Sequence, residues 1–128
     1  VPLWVPMMTP SAPISSRDIL VRVLVPKENA RFVYQSVRNS QTDFPVLTCA
    51  AAKLADGSIR AAIGARPGKA VLYTAAPEEG ETAEKFAARF AAEVKADIKT
   101  ESNLRGGAEY RRHLAGVLTK RAVCRLEG

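Results

Sequence analysis

The sequence is poor in the residues that usually build metal centres and disulfide frameworks. It has two cysteines, Cys49 and Cys124, and a single histidine, His113. The cysteines are far apart and form no Cys-x-x-Cys pair, so no zinc or other metal site is predicted. Cys49 lies in an apolar run, which is typical of a small core residue. So few cysteines favour a reduced, cytoplasmic setting.

Long hydrophobic runs and phosphate-binding glycine loops are also missing. No stretch approaches the roughly 20 apolar residues of a membrane-spanning helix, so no membrane partner is expected. No Gly-x-Gly-x-x-Gly motif is present. The segment 64–69 departs from a phosphate loop because Pro67 lacks an N–H donor and Ala70 stands where a hydroxyl would bind magnesium. We interpret this segment as a turn between strands.

The size and charge of the chain limit its organisation more than its function. Its 128 residues suffice for one domain with a single core. Nineteen basic and thirteen acidic residues give a net charge of +6. This mild excess is compatible with an acidic partner, a phosphate-bearing ligand or nucleic acid, and equally with plain solubility.

The first 14 residues predict an extended arm or linker, and residues 15–128 a single domain. Prolines recur through the arm at Pro2, Pro6, Pro10 and Pro13. This spacing excludes a helix interior. Leu3, Trp4 and Val5 are too apolar for a free tail, so they are expected to pack either on this domain or on another one.

The first half of the domain has the pattern of β-strands. Runs rich in β-branched and aromatic residues predict strands at 19–25, 31–38, 44–54, 59–64 and 71–74. Asp56-Gly57 between two apolar runs is a strong hairpin signal. In the short polar turn after the second predicted strand, we expect Asp43 to order the turn or to pair with Arg38.

The second half changes to a helical period. One helix is predicted at 82–97, with Ala83, Phe86, Ala87, Phe90 and Val94 on its apolar face. After a loop, Gly107 is the expected N-cap of a second helix that runs to about Leu126, with an apolar stripe at Tyr110, Leu114, Leu118, Ala122 and Leu126. Strands followed by helices predict an α+β fold, with an antiparallel sheet of three to five strands and two helices packed on one face.

Two features of the last helix could carry function. His113 has only Glu109 as a local carboxylate partner, so no catalytic residue is predicted. The helix and the turn before it also carry a basic set, formed by Arg105, Arg111, Arg112, Lys120, Arg121 and Arg125. No RNA-binding aromatic motif or recognition-helix pair accompanies these residues, so a solvated face or a subunit interface is favoured over a nucleic-acid site.

The order of several motifs resembles the C-terminal domain of the FAD-binding subunit of molybdenum hydroxylases, the xanthine dehydrogenase and carbon monoxide dehydrogenase family. The first motifs are a strand that ends in proline at 23–26 and a polar turn with Asp43 at 38–45. A hairpin at 55–60 and Ala62-Ile63-Gly64 follow. The last is Glu109-Tyr110-Arg111 opening the terminal helix.

This resemblance implies a function in a flavin-dependent oxidoreductase. It implies a domain that covers the flavin cleft and contacts partner subunits in electron transfer, without catalysis by itself. FAD would be held by an N-terminal domain outside this chain, and the other partners would be the molybdopterin and iron–sulfur subunits.

The family's flavin-contacting lysine has no counterpart near the turn, where Tyr34 and Gln35 stand. With Arg38 and Asp43, these are the candidate cofactor-binding residues. The alternative is a stand-alone interaction module, such as a homodimer, that has lost the flavin partner.

Overall fold

The computed structural model describes residues 29–128, together with Ile19, Val21, Arg22, Leu24 and Lys27. Four antiparallel strands form one sheet in the order β1-β2-β3-β4, and two helices follow. This architecture confirms the predicted α+β class. The elements are β1 (Arg31–Arg38), β2 (Pro45–Lys53), β3 (Ile59–Gly64), β4 (Val71–Ala75), α1 (Ala83–Asp97) and α2 (Ala108–Glu127).

The strand predicted at 19–25 is not confirmed. Four of its residues are described, and none of them lies in a strand. The three apolar ones, Ile19, Val21 and Leu24, are exposed. A β-branched run alone does not make a strand, because strand stability comes from packing against cross-strand and same-face neighbours. The other residues of that segment and the predicted arm at 1–14 lie outside the described residues.

The β2–β3 connection is the hairpin that Asp56-Gly57 predicts. Gly57 has φ +83°, a left-handed conformation that glycine adopts without a steric penalty. Asp56 Oδ1 accepts hydrogen bonds from the backbone N–H of Ser58 at 2.9 Å and from its hydroxyl at 2.6 Å. The local polar contacts of this turn therefore explain why a two-residue signal was sufficient to locate it.

The two faces of the sheet have different environments. Side chains alternate between the faces along a strand. One face packs against both helices and is fully buried at Leu47, Cys49, Ile59, Ala61 and Ile63. We call the opposite face the open face; it carries Phe32 and Tyr34 of β1, Ala50 and Ala52 of β2, Arg60 and Ala62 of β3, and Leu72 of β4.

A β-bulge interrupts the pairing of β1 with β2. Val37 lies opposite Leu47 and Arg38 lies opposite Pro45, so Val46 is an extra residue without a partner on β1. Both Val46 and Leu47 are fully buried, although they are adjacent in the strand. The bulge therefore buries an additional side chain and leaves the backbone carbonyl of Val46 out of the regular ladder.

The helices bury most of the apolar faces that their periodicity predicts. In α1, Phe86 and Phe90 are buried and their rings stack at 6.0 Å, whereas Ala83 in the first turn is exposed. In α2, the stripe from Leu114 to Leu126 is buried, whereas Tyr110 is about half exposed. Both exceptions lie in first turns, where the chain enters the helix from a surface loop. Gly107 is the N-cap of α2, as predicted.

Candidate functional site

The four predicted cofactor-binding residues lie along β1 and the turn that follows it. Tyr34 belongs to the open face and is 60% exposed. Gln35 is on the helix-packed face, opposite Cys49, and its buried Nε2 has no hydrogen-bond partner among the described residues. The structure therefore places Tyr34 and Gln35 on opposite sides of an edge strand and does not bring them together.

Arg38 and Asp43, in contrast, are in direct contact. Arg38 Nη1 donates a hydrogen bond to the backbone carbonyl of Asp43 at 2.5 Å. The carboxylate of Asp43 accepts from the backbone N–H of Phe44 at 2.7 Å. The expectation that Asp43 orders this turn is confirmed.

The carboxylate pairs with a third residue, Arg105, from the loop before α2. Nε and Nη2 of Arg105 both lie 2.9 Å from Asp43 Oδ1. The same guanidinium lies 5.1 Å from the centroid of the Phe44 ring, within cation–π range. The Nδ2 of Asn39 donates to the backbone carbonyl of Arg105 at 2.9 Å. We call Arg38, Asp43, Phe44 and Arg105 the Asp43 cluster.

Sequence reasoning missed this role of Arg105. It assigned Arg105 to a basic set associated with the last helix, whereas the structure pairs it with an acid 62 residues away. The only signal in the sequence was the proximity of Arg105 to the Gly106-Gly107 turn, which brings the chain back toward the sheet.

The charges of the cluster stabilise one another. The hydrogen bond from Arg105, followed by that from the backbone of Phe44, lowers the pKa of Asp43 below its usual 3.8. The carboxylate is therefore ionised at neutral pH. Because one carboxylate neutralises one of the two guanidinium groups, the cluster keeps a net positive charge from Arg38.

The loop that carries Arg105 is held in place by Arg111, and here the sequence prediction was wrong. Arg111 was placed in a basic set expected to form a solvated face or a subunit interface, but its side chain is almost completely buried inside the domain. Its Nε donates to the Val46 carbonyl at 2.9 Å, the group that the bulge leaves out of the ladder. Its Nη1 donates to the carbonyls of Glu101 at 2.7 Å and Gly106 at 2.5 Å.

The fourth acceptor of Arg111 is the side-chain Oδ1 of Asn103, at 2.5 Å from Nη2. The same oxygen accepts from the backbone N–H of Arg105 at 2.9 Å. All four acceptors of Arg111 are neutral groups. Burial, followed by the positive charge of Arg105, lowers the pKa of Arg111 from its ordinary value. Arg111 thus links the sheet, the loop and α2, and indirectly positions Arg105.

The surface beside the cluster is apolar. Phe44 is 73% exposed and Leu104 is fully exposed. We call Phe44, Leu104 and the exposed parts of Arg38 and Arg105 the turn surface. An exposed pair of large apolar side chains beside a fixed ion pair is typical of a contact surface for another protein, where arginine and aromatic residues are enriched.

Replacement of Asp43 by asparagine should remove a pH-dependent contribution to stability. The folded-state pKa of Asp43 is lowered, so the ionised carboxylate stabilises the fold above its unfolded pKa of about 3.8. This contribution disappears as the pH falls through the lower folded-state pKa. We expect the melting temperature of the wild type to exceed that of Asp43→Asn at pH 7, and the difference between them to shrink as the pH falls below 3.8. A constant difference across this range would assign the effect to something other than ionisation.

Three other observations on the described residues bear on possible functions. His113 is exposed on α2. Across residues 29–128 and the five isolated positions, no group of three or more His, Cys, Asp or Glu side chains is placed to hold a metal ion. Neither helix in this part of the chain is long and apolar enough to cross a membrane.

Comparison with protein families gives one match. Residues 32–126 match the model of the CO dehydrogenase flavoprotein C-terminal domain. The matched range contains all four strands except the first residue of β1, both helices except the last residue of α2, and the whole Asp43 cluster. No match was found among curated proteins.

Solved structures with the same fold come from larger chains. Quinoline 2-oxidoreductase from Pseudomonas putida 86 aligns with a TM-score of 0.65 and 18% identity over 80% of this chain. Carbon monoxide dehydrogenases from Hydrogenophaga pseudoflava and Oligotropha carboxidovorans each align with a TM-score of 0.62 and 22% identity, over 81% and 82% of this chain. In each case the alignment covers 39% of the other chain.

Proposed function

The chain belongs to the family of CO dehydrogenase flavoprotein C-terminal domains, and on this premise we propose that it covers the flavin cleft of a molybdenum hydroxylase. The observation that supports this most directly is the turn surface, which combines exposed Phe44 and Leu104 with a rigidly held ion pair. An apolar patch of this kind is suited to close packing against another domain.

The residues of this domain are suited to contact the flavin and not to hold the whole cofactor. The guanidinium of Arg105 is engaged by Asp43, and Arg38 is engaged by the backbone carbonyl of the same residue. Neither is free to form the bidentate contact by which arginine typically binds a pyrophosphate. The proposal therefore assigns the binding of FAD to a separate domain, and to this chain the exclusion of water from the cleft.

The candidate cofactor-binding residues remain Tyr34, Gln35, Arg38 and Asp43. In the sheet that the described residues form, β1 is the outermost strand, so a flavin that approaches its outer side could meet Tyr34 on one face and Gln35 on the other. Arg38 lies at the end of the same edge and supplies positive charge. When bound, FAD supplies the redox chemistry, and this chain would orient the partner domain and keep solvent away.

The proposed partners are the FAD-binding domain and, through it, subunits that carry iron–sulfur clusters and molybdopterin. In this arrangement electrons would pass between those centres and FAD, while this domain contributes surface and no catalytic residue. A cytoplasmic setting agrees with the low cysteine content and with the free thiols of Cys49 and Cys124.

The test is a titration of an FAD-binding domain from a flavoprotein subunit of this family with the 128-residue protein. We expect the two to co-elute in gel filtration with flavin absorbance, and FAD release to slow several-fold. Leu104→Glu should abolish both effects because it replaces an exposed apolar side chain of the turn surface by a charge. Ala88→Glu, the same introduction of a charge at an exposed position of α1, should leave both effects unchanged.

Two outcomes would contradict the proposal. Co-elution that Leu104→Glu leaves intact would assign the contact to a different surface. A chain that ignores the FAD-binding domain but shows a concentration-dependent mass would instead indicate a stand-alone dimerisation module.

A further inference from the structure

The structure divides the basic set of the sequence into two halves with different environments. The half near the start of α2 is engaged within the domain, through the contacts of Arg105 and Arg111 and the pair of Arg112 with Glu109. The half near the end of the helix is exposed and consists of Lys120, Arg121 and Arg125. None of these three forms an ion pair with another described residue.

The sequence of the helix leaves these three cations without an acidic neighbour. Side chains three or four residues apart meet on a helix, and from Tyr110 to Leu126 there is no Asp or Glu. Arg121 and Arg125 are themselves four residues apart, so two like charges adjoin and lower the stability of the helix. The helix dipole accounts only for Arg125, because its effect is confined to the last turn. Lys120 and Arg121 therefore have no stabilising role within the helix.

The cations border a weakly polar centre on the same side of α2. Val117 is half-buried there and Cys124 is an exposed free thiol. At 3.6 residues per turn, these side chains fall within about 140° of the helix circumference, together with His113. We call this set the α2 stripe: His113, Val117, Lys120, Arg121, Cys124 and Arg125. A weakly polar centre bordered by arginine is typical of a surface that contacts another protein.

The chemistry of the α2 stripe favours carboxylates over the phosphates of a nucleic acid. Proteins hold a nucleic-acid backbone also through hydroxyl and amide side chains, backbone N–H groups and helix N-termini. From Val117 to the end of α2, the only hydroxyl or amide side chain is that of Thr119, which is fully buried. At the C-terminal end of a helix the free backbone groups are carbonyls, which cannot donate. A guanidinium, in contrast, binds a carboxylate by itself through two parallel hydrogen bonds.

The α2 stripe is separate from the surface that the proposed function uses. The turn surface lies beside the loop that precedes Ala108, the first residue of α2. At 1.5 Å per residue, Lys120 lies about 18 Å further along the helix axis. The stripe also contains none of the candidate cofactor-binding residues. Both surfaces can therefore be occupied at the same time.

We propose that the α2 stripe is a docking surface for an acidic protein, whose carboxylates pair with Lys120, Arg121 and Arg125. Such a partner supplies the negative charges that the neighbouring positions of the helix lack, and it covers Val117 and Cys124. The net charge of +6 steers an acidic partner toward the chain. This contact is additional to the covering of a flavin cleft and uses different residues.

Poly-L-glutamate is the probe for this test, and Cys124 reports where it binds. Cys124 is exposed in the stripe, whereas Cys49 is buried and its burial raises the pKa of the thiol to about 11. Iodoacetamide therefore alkylates Cys124 first, because the thiolate is the reactive form. At low salt we expect poly-L-glutamate to slow this alkylation several-fold. The protection should fade as salt is added, since salt screens exposed charges.

Two double variants of equal charge locate the binding. Arg121→Gln combined with Arg125→Gln should weaken binding roughly three- to tenfold, because two charged contacts are lost. The midpoint of the protection titration measures this change. Lys69→Gln combined with Lys99→Gln removes the same charge from two exposed positions beside Arg66, whose side chain donates to both of their carbonyls. This control should bind as wild type does. Circular dichroism melts verify that both double variants are folded.

Three results would overturn the proposal. In the first, poly-L-glutamate leaves the alkylation of wild-type Cys124 unchanged at low salt, so that the stripe does not bind carboxylates. In the second, both double variants weaken binding equally, which assigns it to net charge alone. In the third, duplex DNA with the same number of charges protects Cys124 at lower concentration, which makes nucleic acid the partner. None of these measurements includes a flavin or its binding domain, so their outcome is independent of the proposed function.

Discussion

Replacing Arg111 by methionine is expected to destabilise the domain by about 3–5 kcal/mol, a large part of the 5–15 kcal/mol typical of a small protein. The guanidinium donates four hydrogen bonds inside the protein, to the carbonyls of Val46, Glu101 and Gly106 and to Asn103 Oδ1. Methionine has similar length but no donor, so these acceptors lose their partner in or near the core. Each buried unsatisfied polar group costs about 1–3 kcal/mol.

Two variants separate this network from a general effect of losing an arginine. Arg112→Met makes the same change at the next residue, whose side chain is 43% exposed and pairs with Glu109 in the same helix. We expect a loss below about 1 kcal/mol there. Arg111→Lys keeps the charge but cannot reach four separated acceptors from one nitrogen, so an intermediate loss is expected. Urea unfolding of the three variants measures these differences. Equal losses for Arg111→Met and Arg112→Met would show that the buried network contributes little.

Loss of the Arg111 guanidinium should also weaken the binding of a partner at the turn surface. Glu101, Asn103 and Gly106 all lie in the loop that positions Arg105 against Asp43. Without the buried guanidinium, this loop loses the hydrogen bonds that link it through Arg111 to the Val46 carbonyl of the sheet. We therefore expect folded Arg111→Lys to bind the FAD-binding domain more weakly than wild type, although Arg111 itself is buried and cannot contact the partner.

The second large effect is expected for Phe86→Ala, with a loss of about 3–5 kcal/mol. Phe86 is fully buried between α1 and the sheet and stacks on Phe90 at 6.0 Å. Truncation removes the buried ring and leaves a cavity that the surrounding helix and sheet can fill only partly. Such a loss lowers the melting temperature by at least about 12 °C for a domain of this size.

Phe44→Ala is the matched control for this prediction. It removes the same ring from a position that is 73% exposed, where its described partner is the guanidinium of Arg105. We expect a loss below about 1 kcal/mol, the range of an exposed cation–π contact. Thermal melts followed by circular dichroism compare the two. If both variants melted at the same temperature, the aromatic pair of α1 would not be a major part of the core.

The elements of this fold were largely predictable because each has a local cause. Runs rich in β-branched and aromatic residues identified β1 and β3 with the observed bounds, and the Asp56-Gly57 pair located the hairpin between β2 and β3. A period near 3.6 located each helix to within a residue, with Gly107 as the predicted N-cap of the second. The strand predicted at 19–25 shows the limit of this reasoning, because a β-prone run forms a strand only where a neighbouring strand or packing surface receives it.

The candidate site was predictable only in part. The turn with Arg38 and Asp43 was found because its polar residues are close in sequence. Arg105 and Arg111 were both assigned to a solvated basic set, since charged residues at helical spacing normally face water. The buried position of Arg111 follows from the β-bulge, which leaves the Val46 carbonyl without a ladder partner. Nothing in the local pattern around either residue encodes this contact.

By itself, the sequence determined the α+β class, the order of strands and helices, the hairpin, and the resemblance to flavoprotein C-terminal domains that the family match confirms. These properties depend on periodicity and on motifs within a few residues of one another. Only the tertiary structure decided that Arg111 is buried, that Arg105 neutralises Asp43, and that both helices pack against the same face of the sheet. The two arginines act across 62 and 65 residues. Contacts at that separation arise when the packed sheet and helices bring distant backbone groups together, so no local pattern contains them.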